Sequence, residues 1–480
     1  MISLYRHITP IICLVEEGIP SQDAFLYYEK FSEVREVKRG GYIMNIMKKI
    51  FPVLIAILLG FVDPIQAMEF DDLGGIEVHA FISQGYLKSS DNNFFADTEK
   101  GTTQFNEMGI NFSADITEKL RLGVQFFARD MGDIGNNEVR LDWAIADYRL
   151  RDWLGIRAGN MKWVNGLYNE SRDVDMLRTS IFMPQGVYNE AWRETSANLQ
   201  GAGLYGDISL SAVGSLAYDA QYGSMNMAPD QGPAKLLKDQ ITEDFPGEVD
   251  LKDVNVDYTY TGALKWSTPL DGLVLGGSTF GYYFEANAST TISPTLVGLD
   301  PLSAAGITFQ SFPTKFEVEG KNMTGSVEFT WNNLVLAAEY SKITYNISIA
   351  NDLLRSTYPD GIVKIPEFDS IGYYGSASYR FTYWFELGAY YSEYYRNDDD
   401  RDGKKRVLNF PSEPEHRAWL KDACLTTRFD VNENWVFKLE GHMMNGTAVI
   451  LGADNPPTTD GTLQYEEDWF LGAAKITYSF

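Results

Sequence analysis

Leu120-Arg121-Leu122-Gly123-Val124-Gln125-Phe126-Phe127-Ala128-Arg129 is the stretch from which the fold can be read. Leu120, Leu122, Val124, Phe126 and Ala128 alternate with Arg121, Gly123, Gln125, Phe127 and Arg129. Successive side chains of a strand point to opposite faces, so one face here is apolar and the other carries arginines. The final segment repeats the pattern, with Phe470, Gly472, Ala474, Ile476, Tyr478 and Phe480 set against Lys475, Thr477 and Ser479.

Outward from these two segments, period two recurs and the helical period of 3.6 hardly appears after residue 68. Sixteen strands are predicted. The first eight lie near 75–88, 104–115, 119–131, 138–150, 153–162, 197–207, 208–221 and 253–267. The second eight lie near 272–286, 314–330, 333–348, 368–381, 384–396, 416–430, 434–448 and 465–480. Tight turns alternate with long polar connections such as 163–196, 222–252, 287–313 and 397–415. A soluble sandwich has no reason to sort its connections this way. An all-β transmembrane antiparallel up-and-down barrel does, with short periplasmic turns and long external loops. An even strand count leaves no unpaired edge in lipid. Aromatic residues at Trp153, Trp163, Tyr282 to Phe284, Phe381 to Phe385, Tyr394-Tyr395 and Trp469-Phe470 are expected to form the interfacial girdles.

Composition narrows the function. Sixty-six acidic against 40 basic residues give a net charge of -26, which repels nucleic-acid phosphates. Two cysteines, Cys13 and Cys424, cannot make a disulfide framework. The apolar run Ile50 to Val62 is too short for a transmembrane helix. It follows Lys48-Lys49 and ends at Ile65-Gln66-Ala67, so 44–67 is expected to be a secretory signal peptide. Residues 1–43 then read as a non-native upstream extension from a start codon placed too early, and 68–480 as the barrel. Residues 69–74 leave no room for the plug domain of a ligand-gated transporter.

The signal segment, the sixteen strands and the ending Ala474-Lys475-Ile476-Thr477-Tyr478-Ser479-Phe480 resemble a Gram-negative outer-membrane porin. His79-Ala80-Phe81-Ile82-Ser83-Gln84-Gly85-Tyr86 and Trp153-Leu154-Gly155-Ile156-Arg157-Ala158-Gly159 resemble a little-characterised proteobacterial porin-like family. The resemblance implies an outer-membrane location beside lipopolysaccharide, a homotrimer, and recognition of Tyr478 and Phe480 by the barrel-assembly machinery. It also implies that the third external loop folds inward and narrows the pore. That loop is 163–196, carrying Glu170, Arg172, Asp173, Asp175, Arg178, Glu190, Arg193 and Glu194. Arg121, Arg129, Arg149 and Arg157 are the candidate pore wall. Loop carboxylates facing wall arginines would act on permeating ions; the same charges could equally form salt bridges that hold the loop.

Asp398, Asp400, Asp402 and Gly403 match the opening of a calcium loop, but Asn409 replaces the bidentate Glu and a solvated acidic loop is the simpler reading. His7, His79, His416 and His442 are scattered, and no nucleophile elbow, zinc-protease or phosphate-loop motif occurs, so no enzyme and no cofactor is expected. The expected function is passive diffusion of small hydrophilic solutes and ions. The alternatives are a channel selective for small anions, such as phosphate or carboxylates, and a structural or adhesive barrel closed by its own loops.

Overall fold

The computed structural model describes residues 75–132, 134–193, 198–227, 234, 238, 248–292, 310–352, 355, 358–409, 413–456 and 464–480. The upstream extension, the signal peptide and Glu194 lie outside the described residues.

Sixteen strands follow in chain order. They are β1 Ile76–Ser89, β2 Phe105–Thr117, β3 Leu120–Met131, β4 Arg140–Arg151, β5 Leu154–Lys162, β6 Asn198–Ser209, β7 Ser215–Ser224 and β8 Glu248–Ser267. There follow β9 Leu273–Ile292, β10 Gln310–Trp331, β11 Leu334–Asn351, β12 Ile362–Thr382, β13 Phe385–Tyr395, β14 Trp419–Asp430, β15 Trp435–Gly446 and β16 Asp468–Ser479. Each pairs antiparallel with its sequence neighbours, and β16 pairs with β1 from Phe81↔Ser479 to Ser89↔Leu471, closing the barrel. Phe480 extends this seam by exchanging both backbone hydrogen bonds with Ala80 at 3.0 Å. Several predicted boundaries move: β8 begins earlier, at Glu248, β9 runs on to Ile292 and β12 begins earlier, at Ile362. The seventh strand begins at Ser215 because Leu210–Gly214 is a turn, with Ser211 and Gly214 at φ 56° and 94°. The fourteenth begins at Trp419, after a 3-10 turn at Glu415–Ala418.

Alternation sorts the two faces. On β2, β3, β10 and β11 the outward positions Ile110, Phe126, Met323, Val327 and Leu336 are exposed. The intervening Gln125, Arg129, Asn322, Thr324, Glu339 and Ser341 are buried and polar. Apolar outside and polar inside is the arrangement of a barrel in lipid around a wet interior. Exposed Trp153, Phe381, Tyr383 and Trp384 sit at or beside the short turns, where an aromatic girdle belongs.

Along β8–β12 the pattern inverts before the strands end. On β10 the outward face runs apolar from Trp331 to Met323 and then turns charged at Lys321, Glu319, Glu317 and Lys315. Lys321 pairs with Glu319 at 2.8 Å, and Lys315 with Glu285 at 2.6 Å and Glu317 at 3.2 Å. Over the same stretch the inward face becomes apolar, with Phe316 and Val318 packed against Phe284, Ala286, Val249 and Ile349. Ten residues separate Trp331 from Lys321, close to the ~9–11 tilted residues that cross a bilayer. The inversion therefore marks where lipid ends and water begins. It also relocates three expected girdle positions: Trp163, Tyr282 and Phe284 are buried in this inner cluster, and only Tyr283 of that run faces outward, opposite Glu319. Trp469 is likewise buried inside, in a second cluster with Phe94, Phe105, Phe182 and Leu471.

An arginine at Ile110, mid-strand on the outer face, is expected to cost about 2–4 kcal/mol of stability in bilayers. Asn346→Arg, beside Glu319 above the inversion, is expected to cost less than ~1 kcal/mol. Urea titration in lipid vesicles measures both; equal losses would move the lipid boundary.

Candidate functional site

The interior is organised by the segment between β5 and β6, of which 163–193 is described. Its first residues bond to the inward faces of β8–β11. Thr261 donates to the Val164 carbonyl, Gly166 N–H to Ser278 Oγ at 2.8 Å, and Leu167 N–H to Glu339 Oε1 at 2.9 Å. Gly166 holds φ 59°, and a Cβ there would come within 2.5 Å of both Glu339 and Tyr188. Tyr168 donates to Glu328 at 2.6 Å, and Tyr188 to Glu339. Burial and the neighbouring Glu339 raise the Tyr188 hydroxyl well above its ordinary range, so it remains a donor.

The middle of the segment reaches the far wall. Thr426 on β14 donates to the Thr179 carbonyl at 3.2 Å, and Arg428 to the Met176 carbonyl at 2.6 Å. Lys438 on β15 donates to Asp175 Oδ1 at 2.9 Å and its carbonyl at 2.7 Å, and Thr477 on β16 to Asp175 Oδ2 at 2.6 Å. Glu440 accepts the N–H groups of Ile181 at 2.6 Å and Phe182 at 2.9 Å. Contacts to β8–β11 on one side and β14–β16 on the other mean that the segment crosses the interior. Gly186 lies so close to Gly372 of β12 that a Cβ on Gly372 would meet the Gly186 carbonyl at 2.1 Å.

A buried charge network ties the last part to β2, β3, β5 and β16. Arg193 joins Glu107 and, at 2.8 Å, Asp173. Arg129 and Arg172 both reach Glu190 at 3.1 Å, Lys162 meets Asp173, and Lys475 meets Glu107 at 2.6 Å. Burial alone would raise the Asp173 carboxyl, but Lys162 and Arg193 hold it below the ordinary range. Lys438, Lys475 and Arg178 do the same for buried Asp175, and Arg172, Arg193 and Arg129 for buried Glu190. The positive charges are needed because isolated buried carboxylates would protonate instead.

The residues read from the sequence are thus distributed unequally. Arg172, Asp173, Asp175, Arg178, Glu190 and Arg193 come together in the interior, while Glu170 stands near Lys265 at 3.9 Å. Arg129 is buried under Glu190 and presents nothing to the open lumen. Arg157 is held by Asp147 at 2.9 Å and stacked on Tyr205; Arg121 meets Glu77 at 2.7 Å, and Arg149 is exposed. Tyr478 packs on Trp435 and Phe480, with centroids at 4.8 Å and 6.0 Å, beside the seam.

Asp398, Asp400 and Asp402 do not converge on one centre. Asp398 pairs with Arg401 at 2.5 Å, Asp402 with Lys404 at 2.7 Å, and Asp400 caps the short helix α1, Lys404–Asn409, through the N–H groups of Lys405 and Arg406. The wall residues that hold the loop, notably Glu107, Glu339, Lys438 and Glu440, escaped the sequence reading. Their signal was an ionisable side chain on the polar face of an otherwise apolar alternating strand.

Beside the loop a cavity of about 340 Å³ remains. Tyr168, Leu177, Arg178 and Met183 bound it on the loop side, and Thr330, Tyr374, Ser376, Ser378, Gly388 and Tyr390 on β10, β12 and β13. Of its charged residues, Glu328 accepts from Tyr168, Glu386 from Arg380 at 2.7 Å, and Arg178 pairs with Asp175 at 3.4 Å.

Many solved structures are similar in fold, and three of them represent the range. They are the anion-selective porin from Comamonas acidovorans, at a TM-score of 0.49 and 11% identity over 85% of this chain and 99% of that one, and the outer membrane channel DcaP of Acinetobacter baumannii, at 0.47 and 10% over 85% and 98%. The third is Salmonella typhi OmpF in complex with daunomycin, at 0.46 and 12% over 84% and 97%. No family model and no curated protein matches the sequence.

Arg193→Ala leaves Glu107 and Asp173 buried without their shared cation, a change expected to cost about 3–5 kcal/mol and to release the loop. Trypsin should then cut at Arg172 or Arg178 in the folded variant and spare the parent; equal resistance would contradict the anchoring. Because the Asp173 and Asp175 carboxyls are lowered, their contribution is full above the ordinary value of 3.8. It declines as pH falls below that value and vanishes beneath the lowered native one. Tryptic resistance after incubation at each pH should therefore be flat from pH 7 to 5 and fall only in stronger acid.

Proposed function

We propose that this chain is a porin of a Gram-negative outer membrane, through which small hydrophilic solutes diffuse passively, and that the loop 163–193 narrows its pore. The observation that carries the reading is the cavity of about 340 Å³ beside a loop anchored to both walls of a closed barrel. At roughly 30 Å³ per water, it has room for on the order of ten waters. Conduction needs contacts weak enough to let a solute leave. A lining of hydroxyls, tyrosine rings and an exposed Leu177 offers such contacts.

The charges argue against a strong preference for either sign of ion. Arg129 and Arg193 are spent on Glu190, Glu107 and Asp173, and of the charges that border the cavity Arg178 is paired within the loop with Asp175 and Glu386 within the wall with Arg380, while Glu328 accepts from the neutral Tyr168. Uncharged polar solutes and salt are therefore the natural permeants, and an anion-selective eyelet built on Arg129 and Arg157 is the weaker reading. The working form is proposed to be a homotrimer beside lipopolysaccharide, with Tyr478 and Phe480 serving the assembly machinery.

Single-channel current of the refolded chain in a planar bilayer tests this. Ohmic steps, a reversal potential near zero in a steep potassium chloride gradient, and swelling of liposomes in uncharged sugars are expected. Silence from a folded barrel would favour a closed structural barrel. A strongly anion-positive reversal would restore the arginine eyelet.

A further inference from the structure

The inward faces of β14 and β15 carry a group of side chains that loop anchoring uses only in part. Cys424 and His442 are directly opposite across the strand pair, and Glu440 follows on the same face. Asp422, Cys424, Glu440 and His442 are all at most 5% exposed. The Cys424 sulfur, a Glu440 oxygen and an imidazole nitrogen of His442 lie within 4.8 Å of one another. His442 Nδ1 faces both oxygens of Asp422 at 3.1 Å, and Tyr390 donates to Asp422 at 2.9 Å. His442 Nε2 faces Glu440 Oε1 at 2.9 Å.

We propose that Cys424, Glu440 and His442 form a binding site for a divalent ion of the zinc class. The donor set of thiolate sulfur, imidazole nitrogen and carboxylate oxygen suits a borderline ion better than calcium or magnesium, which take oxygen ligands. Ligand atoms around tetrahedral zinc lie ~3.5 Å apart, so small side-chain rotations of Cys424 and Glu440 suffice. Asp422 is already placed as the carboxylate that orients a metal-bound histidine by accepting its second N–H, and Tyr390 fixes Asp422 in turn.

Charge balance fits the exchange. With both ring nitrogens facing carboxylates, both must donate, so without metal His442 is an imidazolium between two carboxylates and the group carries one net negative charge. A divalent ion displaces the proton at Nε2 and the thiol proton of Cys424, while Nδ1–H stays on Asp422. Two protons leave, two positive charges arrive, and the net charge is unchanged. Thr426 and Tyr390, neighbours of the cluster, line the open cavity, so the cavity is the side from which an ion in the lumen would approach it. Glu440 also holds Ile181 and Phe182, so the ion would sit directly behind the middle of the loop.

The test is cobalt(II) titration of the chelator-treated, refolded full chain, followed by competition with zinc. One equivalent per chain should give a near-ultraviolet thiolate-to-cobalt band that zinc abolishes and excess calcium does not. Cys424→Ser should lose the band, and Asp422→Asn should weaken binding roughly 10–100-fold. Heat-modifiable mobility on a gel confirms that each variant is folded. A folded parent without the band overturns the proposal, as does a band that persists in Cys424→Ser, which would point to Cys13.

Discussion

Lipid offers no hydrogen bonds, and this constraint governs the whole molecule. Every backbone N–H and C=O at membrane depth must find a partner in the chain, and each unpaired one costs several kcal/mol. Sixteen antiparallel strands closed by the β16–β1 seam satisfy that demand without an edge. Closure fixes the rest: at membrane depth one face of every strand meets lipid, the other a shared interior, and there only the interior can hold charge. The anchoring of residues 163–193 follows, because polar groups brought from ten or more strands to one small space must pair with each other or with the loop.

The energetic character of that interior differs from that of a soluble core. Arg193, Arg129, Lys162, Lys438 and Lys475 are almost completely buried or nearly so, and each meets a carboxylate. Replacing such a network with apolar residues can leave a protein equally stable, so its value here is geometric. Directional bonds to Asp173, Asp175, Glu190 and Glu440 hold the loop at a fixed distance from β12 and β13, which a greasy contact could not specify as sharply. The space left beside it is correspondingly defined.

The barrel was largely legible in the sequence because alternation is a local signal. Leu120 to Arg129 displays it without ambiguity, and the turns at Asn332 and Tyr383 punctuate it. The boundary at 208–221 failed because Ile208, Leu210 and Ala212 continue the alternation straight through a turn whose only marker is Gly214. Tyr282 and Phe284 misled for a different reason. They belong to strand that has already left the lipid, where apolar side chains turn inward, and periodicity alone does not say at which depth a residue sits. The interior was the least legible part. Alternation places Arg129 on the polar face, but that Glu190 covers it is a contact between residues 61 positions apart, set by how the loop crosses the lumen.

The seam has a kinetic meaning as well. Its nine paired positions join residues nearly four hundred apart in the chain, so no local hairpin can form it early. Until it closes, β1 and β16 present two open edges, each a template for any other unpaired strand. Productive folding is then a race between the two ends of one sheet meeting and either end meeting another molecule.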